Sequence, residues 1–335
     1  MLKQMKSLAG LLVLVMSFSL LAGCNNSTDG KAEGSSNTNK GKKIVVGFSQ
    51  IGAESGWRTA ETKSIKETLG NSPDFELKFS DAQQKQENQI KAIRNFIAQK
   101  VDVIALAPVV ETGWESVLKK AKDAKIPVIL LDRGIKVKDD SLYTSFIGSD
   151  FILEGENAAK ELIKLVGSGK KANIVELQGT VGASAATDRK TGFANVLKDN
   201  PDFKIIKSQS GDFTRAKGKE VMEAFLKSDG KNIDAVYAHN DDMALGAIQA
   251  IEEYGLKPGE DIKIASIDGV KDAFEAAAQG KTNIIVECNP LLGPQLAQAV
   301  KDLKAGKEIP RWIKTDESLF VGKDAAEQAL PSRKY

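Results

Sequence analysis

Short apolar, β-branched runs in this sequence are followed, again and again, by side chains built for hydrogen bonding. After Lys43–Gln50 come Glu54, Ser55, Gly56, Trp57 and Arg58, and after Ile126–Leu131 come Asp132 and Arg133. A Gly/Ser/Ala-rich stretch after Asn173–Leu177 ends in Asp188 and Arg189, and Phe203–Ser208 leads to Asp212-Phe213-Thr214-Arg215. Ile233–Tyr237 leads to His239-Asn240-Asp241-Asp242, and Ile262–Ile267 to Asp268-Gly269. Asp, Asn and Arg are forked groups, each able to make two parallel hydrogen bonds to neighbouring partners. Trp57 and Phe213 add flat apolar faces. Adjacent hydroxyls above a C–H face require that combination, so the set suits a polyol. Charge narrows the ligand further. Arg58, Arg133 and Arg189 stand against Glu54, Asp132 and Asp268, a balanced set that can neutralise itself in a desolvated cleft. A phosphate would want a positive excess and a polyamine a negative one, so the expected ligand is neutral. Asp212 and Arg215 read as turn or surface groups, and Asp241 as the cap of the helix that follows it.

The elements that must position these groups alternate along the chain. The runs named above, and Val101–Ala107, are nearly continuous in apolar character, as parallel strands buried on both faces are. Between them lie helical periods: Ile90, Ile93 and Ile97; Ala159, Leu162, Ile163 and Val166; Ala244, Ala247, Ile248 and Ile251; Leu292, Leu296, Val300 and Leu303. The alternation predicts an α/β fold of doubly wound parallel sheets, in which ligands bind beyond the carboxyl ends of the strands. The two halves also echo each other. Val101-Asp102-Val103-Ile104 matches Ile233-Asp234-Ala235-Val236, Asp132 matches Asp268, and Arg58 matches Arg189. The offsets are all about 130–136 positions, the length of a duplicated domain, so two similar lobes are expected.

Ahead of this body lies a different kind of sequence. Lys3 and Lys6 precede an apolar stretch from Leu8 to Leu21 that is flanked like a secretory leader. It ends in Leu21-Ala22-Gly23-Cys24, which resembles a bacterial lipoprotein signal, with residues 1–23 removed and Cys24 lipidated. Residues 24–42 then form a polar tether whose ends stand about 20–25 Å apart. The expected address is extracytoplasmic and anchored to the cell membrane. Cys288 has no second thiol left to pair with and reads as a buried, inert one. A net charge of +2 gives no sign of a nucleic-acid groove, and no metal-ligand spacing or cofactor motif occurs, so none is expected.

At these residues a family resemblance emerges. The chain resembles the ribose-type, type I periplasmic sugar-binding proteins through Leu131-Asp132-Arg133, Glu176-Leu177-Gln178-Gly179, Asp188-Arg189, Asp212-Phe213-Thr214-Arg215, Asn240-Asp241-Asp242-Met243-Ala244 and Ile267-Asp268-Gly269. Gly47–Arg58 and Gln84–Lys91 are similar to segments of the family's galactofuranose-binding members. The resemblance implies two lobes, 43–147 plus 288–314 and 148–287 plus 315–335, joined by three crossings near Gly148, Glu287 and Thr315. It implies a sugar held by Glu54, Ser55, Gly56, Trp57, Arg58, Asp132 and Arg133 from one lobe and by Arg189, Phe213, Asn240 and Asp268 from the other. Ribose binders carry two adjacent aromatics where this chain has Trp57-Arg58; one ring fewer and one cation more suits a larger furanose. Glu287 stands where ribose binders use an amide. The implied partner is the permease of an ABC importer, and the implied state a monomer.

Two other classes fit less well, and a third fits equally. An enzyme using a Ser-His-Asp triad would depend on His239, and no Gly-x-Ser-x-Gly elbow is present. Gly280-Lys281-Thr282 lacks the upstream glycine of a phosphate-binding loop, and Gly167–Ala172 precedes a strand where a dinucleotide fingerprint follows one. A sugar-sensing repressor would begin with a helix-turn-helix. A receptor that presents sugar to a membrane sensor shares every feature named so far.

Overall fold

The computed structural model describes residues 42–167 and 169–335. The leader, Cys24 and the tether up to residue 41 lie outside the described residues. From the first strand onward the elements alternate as the sequence predicts. The first lobe's run is β1 (Ile44–Gln50), α1 (Gly56–Gly70), β2 (Phe75–Asp81), α2 (Gln86–Ala98), β3 (Val103–Leu106), α3 (Glu115–Asp123), β4 (Val128–Leu131) and β5 (Ser145–Gly148). The second lobe's run is α4 (Phe151–Val166), β6 (Ala172–Gln178), α5 (Ser184–Leu197), β7 (Phe203–Ser210), α6 (Arg215–Asp229), β8 (Ala235–Ala238), α7 (Asp241–Glu253), β9 (Lys263–Asp268), α8 (Lys271–Ala278) and β10 (Ile284–Glu287). The chain then returns with α9 (Gly293–Lys304) and β11 (Trp312–Lys314) and ends with β12 (Leu319–Val321) and α10 (Gly322–Ala329).

Two six-stranded sheets result, ordered β11-β5-β4-β3-β1-β2 and β12-β10-β9-β8-β6-β7. The second repeats the first, element for element. All pairs are parallel except β10 with β12. The internal echo has a structural meaning. Asp102, just before β3, accepts the Val45 N–H at 2.8 Å, and Asp234, just before β8, accepts the Asn173 N–H at 2.7 Å. Each carboxylate ties the start of its lobe's central strand to its neighbour.

Burial on both faces explains the apolar runs. In the first sheet Val46, Phe48, Ile129 and Leu131 pack with Ile65, Leu69, Leu296 and Val300 of α1 and α9. Ile104, Leu106 and Leu130 pack on the other face with Ile93, Phe96 and Leu118 of α2 and α3. In the second lobe, glycines bring helices into backbone contact. A Cβ on Gly155 of α4 would lie 2.2 Å from the Arg189 carbonyl oxygen, and one on Gly192 of α5 would lie 2.0 Å from that of Ile152. This approach fixes Arg189 beside Glu154.

The chain passes between the sheets at residues 149–150, 288–292 and 315–318, and side chains from all three passages meet. Ser149 Oγ lies 3.2 Å from Cys288 Sγ and 3.1 Å from Thr315 Oγ1, and it also donates to Glu317. Burial, and then the charge of Glu154, push Glu317 up to about 8. The hinge is thus a buried hydrogen-bonded knot rather than three loose linkers. No helix among the described residues is long and apolar enough to cross a membrane.

Candidate functional site

A narrow cavity lies between the lobes, at the strand ends where the sheet order reverses. Glu54, Ser55, Trp57, Asp132 and Arg133 line it from the first lobe. Arg189, Phe213, Asn240, Asp268 and Ala185 line it from the second, with Cys288 at the hinge. The lobes touch on both sides of it. Gly56 N donates to Asp242 at 2.7 Å, Glu111 N to the Gly182 carbonyl at 2.8 Å, and Gly134 N to Ser184 Oγ at 2.9 Å. The Arg133 guanidinium of one lobe sits 5.0 Å from the Phe213 ring centre of the other. This is a closed arrangement.

Two of the expected contact residues, Gly56 and Arg58, do not line the cavity. Arg58 stands one layer behind it, its guanidinium bonded to Glu54 (3.1 Å), Glu61 and Asp132. Its side chain is 3% exposed. Burial alone would lower the Arg58 pKa, but Asp132, Glu61 and Glu54 raise it well above the usual value. The cation thus orients two acids of the lining, Glu54 and Asp132. The charge balance is corrected. Glu61 and Glu154, both at helical spacings that carry no strand-end signal, join the network. Arg189 pairs with Glu154 at 2.7 Å and with Asp268 at 3.5 Å. Five carboxylates thus surround three guanidiniums. Burial pushes the pKa values of Glu61, Glu154 and Asp268 up, which eases the acidic surplus. Arg133, lowered to about 10 by burial and then by Arg58, stays a cation at neutral pH.

Backbone strain marks the same residues. Asp132 (φ 59°), Phe213 (φ 62°) and Asp268 (φ 134°) all hold positive φ, which costs a non-glycine residue about 1–3 kcal/mol. Each is braced. Asp241, expected to cap α7, instead accepts bonds from Ser266, Gly269 N (2.7 Å) and Val270 N (2.9 Å), pinning the loop behind Asp268. Burial raises Asp241 to about 7. The cap of α7 is Asn240, whose Oδ1 accepts from Met243 N at 3.0 Å. Its Nδ2 donates to the Phe213 carbonyl at 3.1 Å and so holds the Phe213 turn.

The remaining sequence candidates are structural. His239 is fully buried, accepts from Gly179 N at 3.3 Å and contacts Glu176 at 3.1 Å. Burial lowers its pKa, so the ring is neutral. Glu287 takes the Ser318 N–H (3.0 Å), Arg333 (2.6 Å) and the Tyr335 hydroxyl (3.0 Å), fastening the C-terminus away from the cavity. Asp212 sits in a turn at positive φ, and Arg215 is half-exposed, as expected. Sequence reasoning missed Ala185 and Cys288 in the lining, since a small residue and an apolar thiol carry no polar signal. Chemically, the cavity offers a ring from each lobe and a belt of forked donors and acceptors. Two buried atoms of lining residues, Glu54 Oε2 and Arg133 Nε, have no hydrogen-bond partner in the protein: one acceptor and one donor.

Residues 46–308 match the periplasmic binding protein domain family. The galactofuranose-binding protein YtfQ of Escherichia coli K12 is 54% identical over 293 residues, which cover 87% of this chain and 92% of that one. A solved structure of the periplasmic binding protein component of the arabinose ABC transporter from Shewanella sp. ANA-3, bound to α- and β-L-arabinofuranose, matches with a TM-score of 0.83. It is 52% identical, over 87% of this chain and 95% of its own. A Mycobacterium smegmatis structure in complex with β-D-fucofuranose matches with a TM-score of 0.84, at the same identity and coverage. Two repeated α/β lobes, closed on a polar cavity at their strand ends and matched over most of their length by binding proteins, make this chain a member of the periplasmic binding protein family.

Proposed function

We propose that the chain captures one neutral monosaccharide in its furanose form, galactofuranose first, and delivers it to the permease of an ABC importer. The observation that carries the sugar is the cavity itself. Trp57 and Phe213 present apolar faces from opposite lobes, while the unpartnered Glu54 Oε2 and Arg133 Nε ask for a group that both donates and accepts. Sugar hydroxyls do both. The furanose is supported by the relatives, whose names and ligands are galactofuranose, arabinofuranose and fucofuranose. The lobes, 43–147 plus 288–314 and 148–287 plus 315–335, act as units that swing about the buried hinge knot and close on the ligand as a monomer. Closure removes water from the belt of charges and gives the permease a surface that differs between empty and loaded states.

Calorimetric titration tests the ligand. Galactofuranose is expected to bind much more tightly than galactopyranose or ribose; equal or absent binding removes the assignment and leaves the fold standing. Anchoring through a diacylated Cys24 belongs to the same proposal. The Cys24→Ala protein should leave the membrane fraction, and its retention there would reject the anchor.

A further inference from the structure

The Asn240-Asp241-Asp242 segment divides its labour three ways, and only two parts serve the cavity. Asn240 caps α7 and holds the Phe213 turn; Asp241 pins the loop behind Asp268. Asp242 faces away from both. It is buried, yet it does not line the cavity. Its Oδ2 reaches across the cleft to the Gly56 N–H at 2.7 Å. Gly56 is the first residue of α1, whose N-cap, Ser55, spends its own Oγ on Arg58 N. Two helix N-termini therefore converge on one carboxylate: α1 from the first lobe and α7, in whose first turn Asp242 sits, from the second. Each helix end carries about half a positive charge, so closing the lobes presses like charges together unless an anion lies between them. Asp242 is that anion. Arg215 fixes its orientation from outside, with Nε 3.2 Å from Oδ1 and Nη2 2.8 Å from Asp272. The N-terminus of α1 is further seated by Trp57, which packs in the second lobe's hydrophobic core.

We propose that Asp242 is an affinity-setting latch: it stabilises the closed arrangement by neutralising the facing N-termini of α1 and α7, without touching the ligand. The inference rests on the sugar-binding reading but concerns a residue that reading does not use. A latch outside the cavity changes how readily the lobes stay closed, and so shifts the affinity for every ligand by one common factor.

The test uses Asp242→Asn and Gly56→Pro, singly and together, with galactofuranose and arabinofuranose titrated by calorimetry. Proline suits position 56, since it is the first helical residue and Ser55 before it is already extended, at φ −144° and ψ 163°. It removes the donor and puts its Cδ where the N–H met Asp242, so the carboxylate must turn away. Each single variant is expected to weaken both sugars by the same factor, about tenfold or more, mainly through faster release. The double variant should be no weaker than the weaker single one, because both changes break one contact. Small-angle scattering at saturating sugar should show a larger radius in the variants than in the wild type, a readout that a merely local role in α7 would not move. Unchanged affinity, additive losses, or a changed ratio between the two sugars would overturn the latch. A wild-type chain that binds neither sugar overturns the functional reading, and the latch with it.

Discussion

Arg58→Met is expected to abolish sugar binding and to lower the unfolding temperature by about 10 °C. Arg58 is the one cation shared by Glu54, Glu61 and Asp132, and all four side chains are buried. Removing it leaves Glu61 without a counter-charge and leaves Glu54 and Asp132 with Arg133 alone, at 3.5 and 3.7 Å. Breaking a buried pair from one side costs about 3–5 kcal/mol, and in a chain of this size each kcal/mol is worth about 2–4 °C. Glu54 and Asp132, which line the cavity, lose the group that orients them, so affinity falls together with stability. The loss has a pH signature. Burial already pushes Glu61 up, and without Arg58 only the hydrogen bond from Gln50 offsets that push. A raised acid is comfortable below its folded-state pKa and penalised above it, so the variant is least impaired in acid and most impaired in base. Calorimetry at pH 5 and pH 8 checks this. A variant with wild-type unfolding temperature at both would show that the network does not depend on Arg58.

The second large effect separates binding from folding. A Cβ added at Gly179 would lie 1.9 Å from Phe213 Cζ and 2.3 Å from both Cε atoms. The face of the Phe213 ring rests on the bare glycine, so Gly179→Ala must displace the ring. The Phe213 backbone is held by Asn240, and the ring lines the cavity, so the ring is the part that moves. Affinity is expected to drop roughly a hundredfold, about 3 kcal/mol, while overpacking takes about 1–3 kcal/mol from stability. Removing the ring should remove the conflict: Gly179→Ala in a Phe213→Ala background should bind no worse than Phe213→Ala alone. If the double variant is clearly weaker, Gly179 serves the site by some route other than the ring.

Much of this was legible in the chain. β-Branched runs buried on both faces, separated by helical periods, specify doubly wound sheets because few other packings bury such runs. The duplicated offsets pointed to two lobes, and Asp102 and Asp234 prove to do the same job in each. Shorter pieces were less visible. β11 and β12 have three residues each, too few for any period to register. The edge strand β2, only partly buried, mixes charge with its apolar residues and so carries no continuous apolar run.

Within the site, the sequence by itself determined which side chains gather at the strand ends: Glu54, Trp57, Asp132, Arg133, Arg189, Phe213, Asn240 and Asp268 all meet at one cavity. Strand ends determine that, because a parallel sheet delivers every loop of one edge to the same place. Only the tertiary structure decided how deep each group stands and which partner it takes. Arg58 went behind the wall, Asp241 turned from cap to brace, and Glu61 and Glu154 entered the network from helix faces. Asp242 was free to cross the cleft. Pairing of buried charges depends on distances of a few ångströms between segments far apart in sequence, and no local pattern encodes those distances.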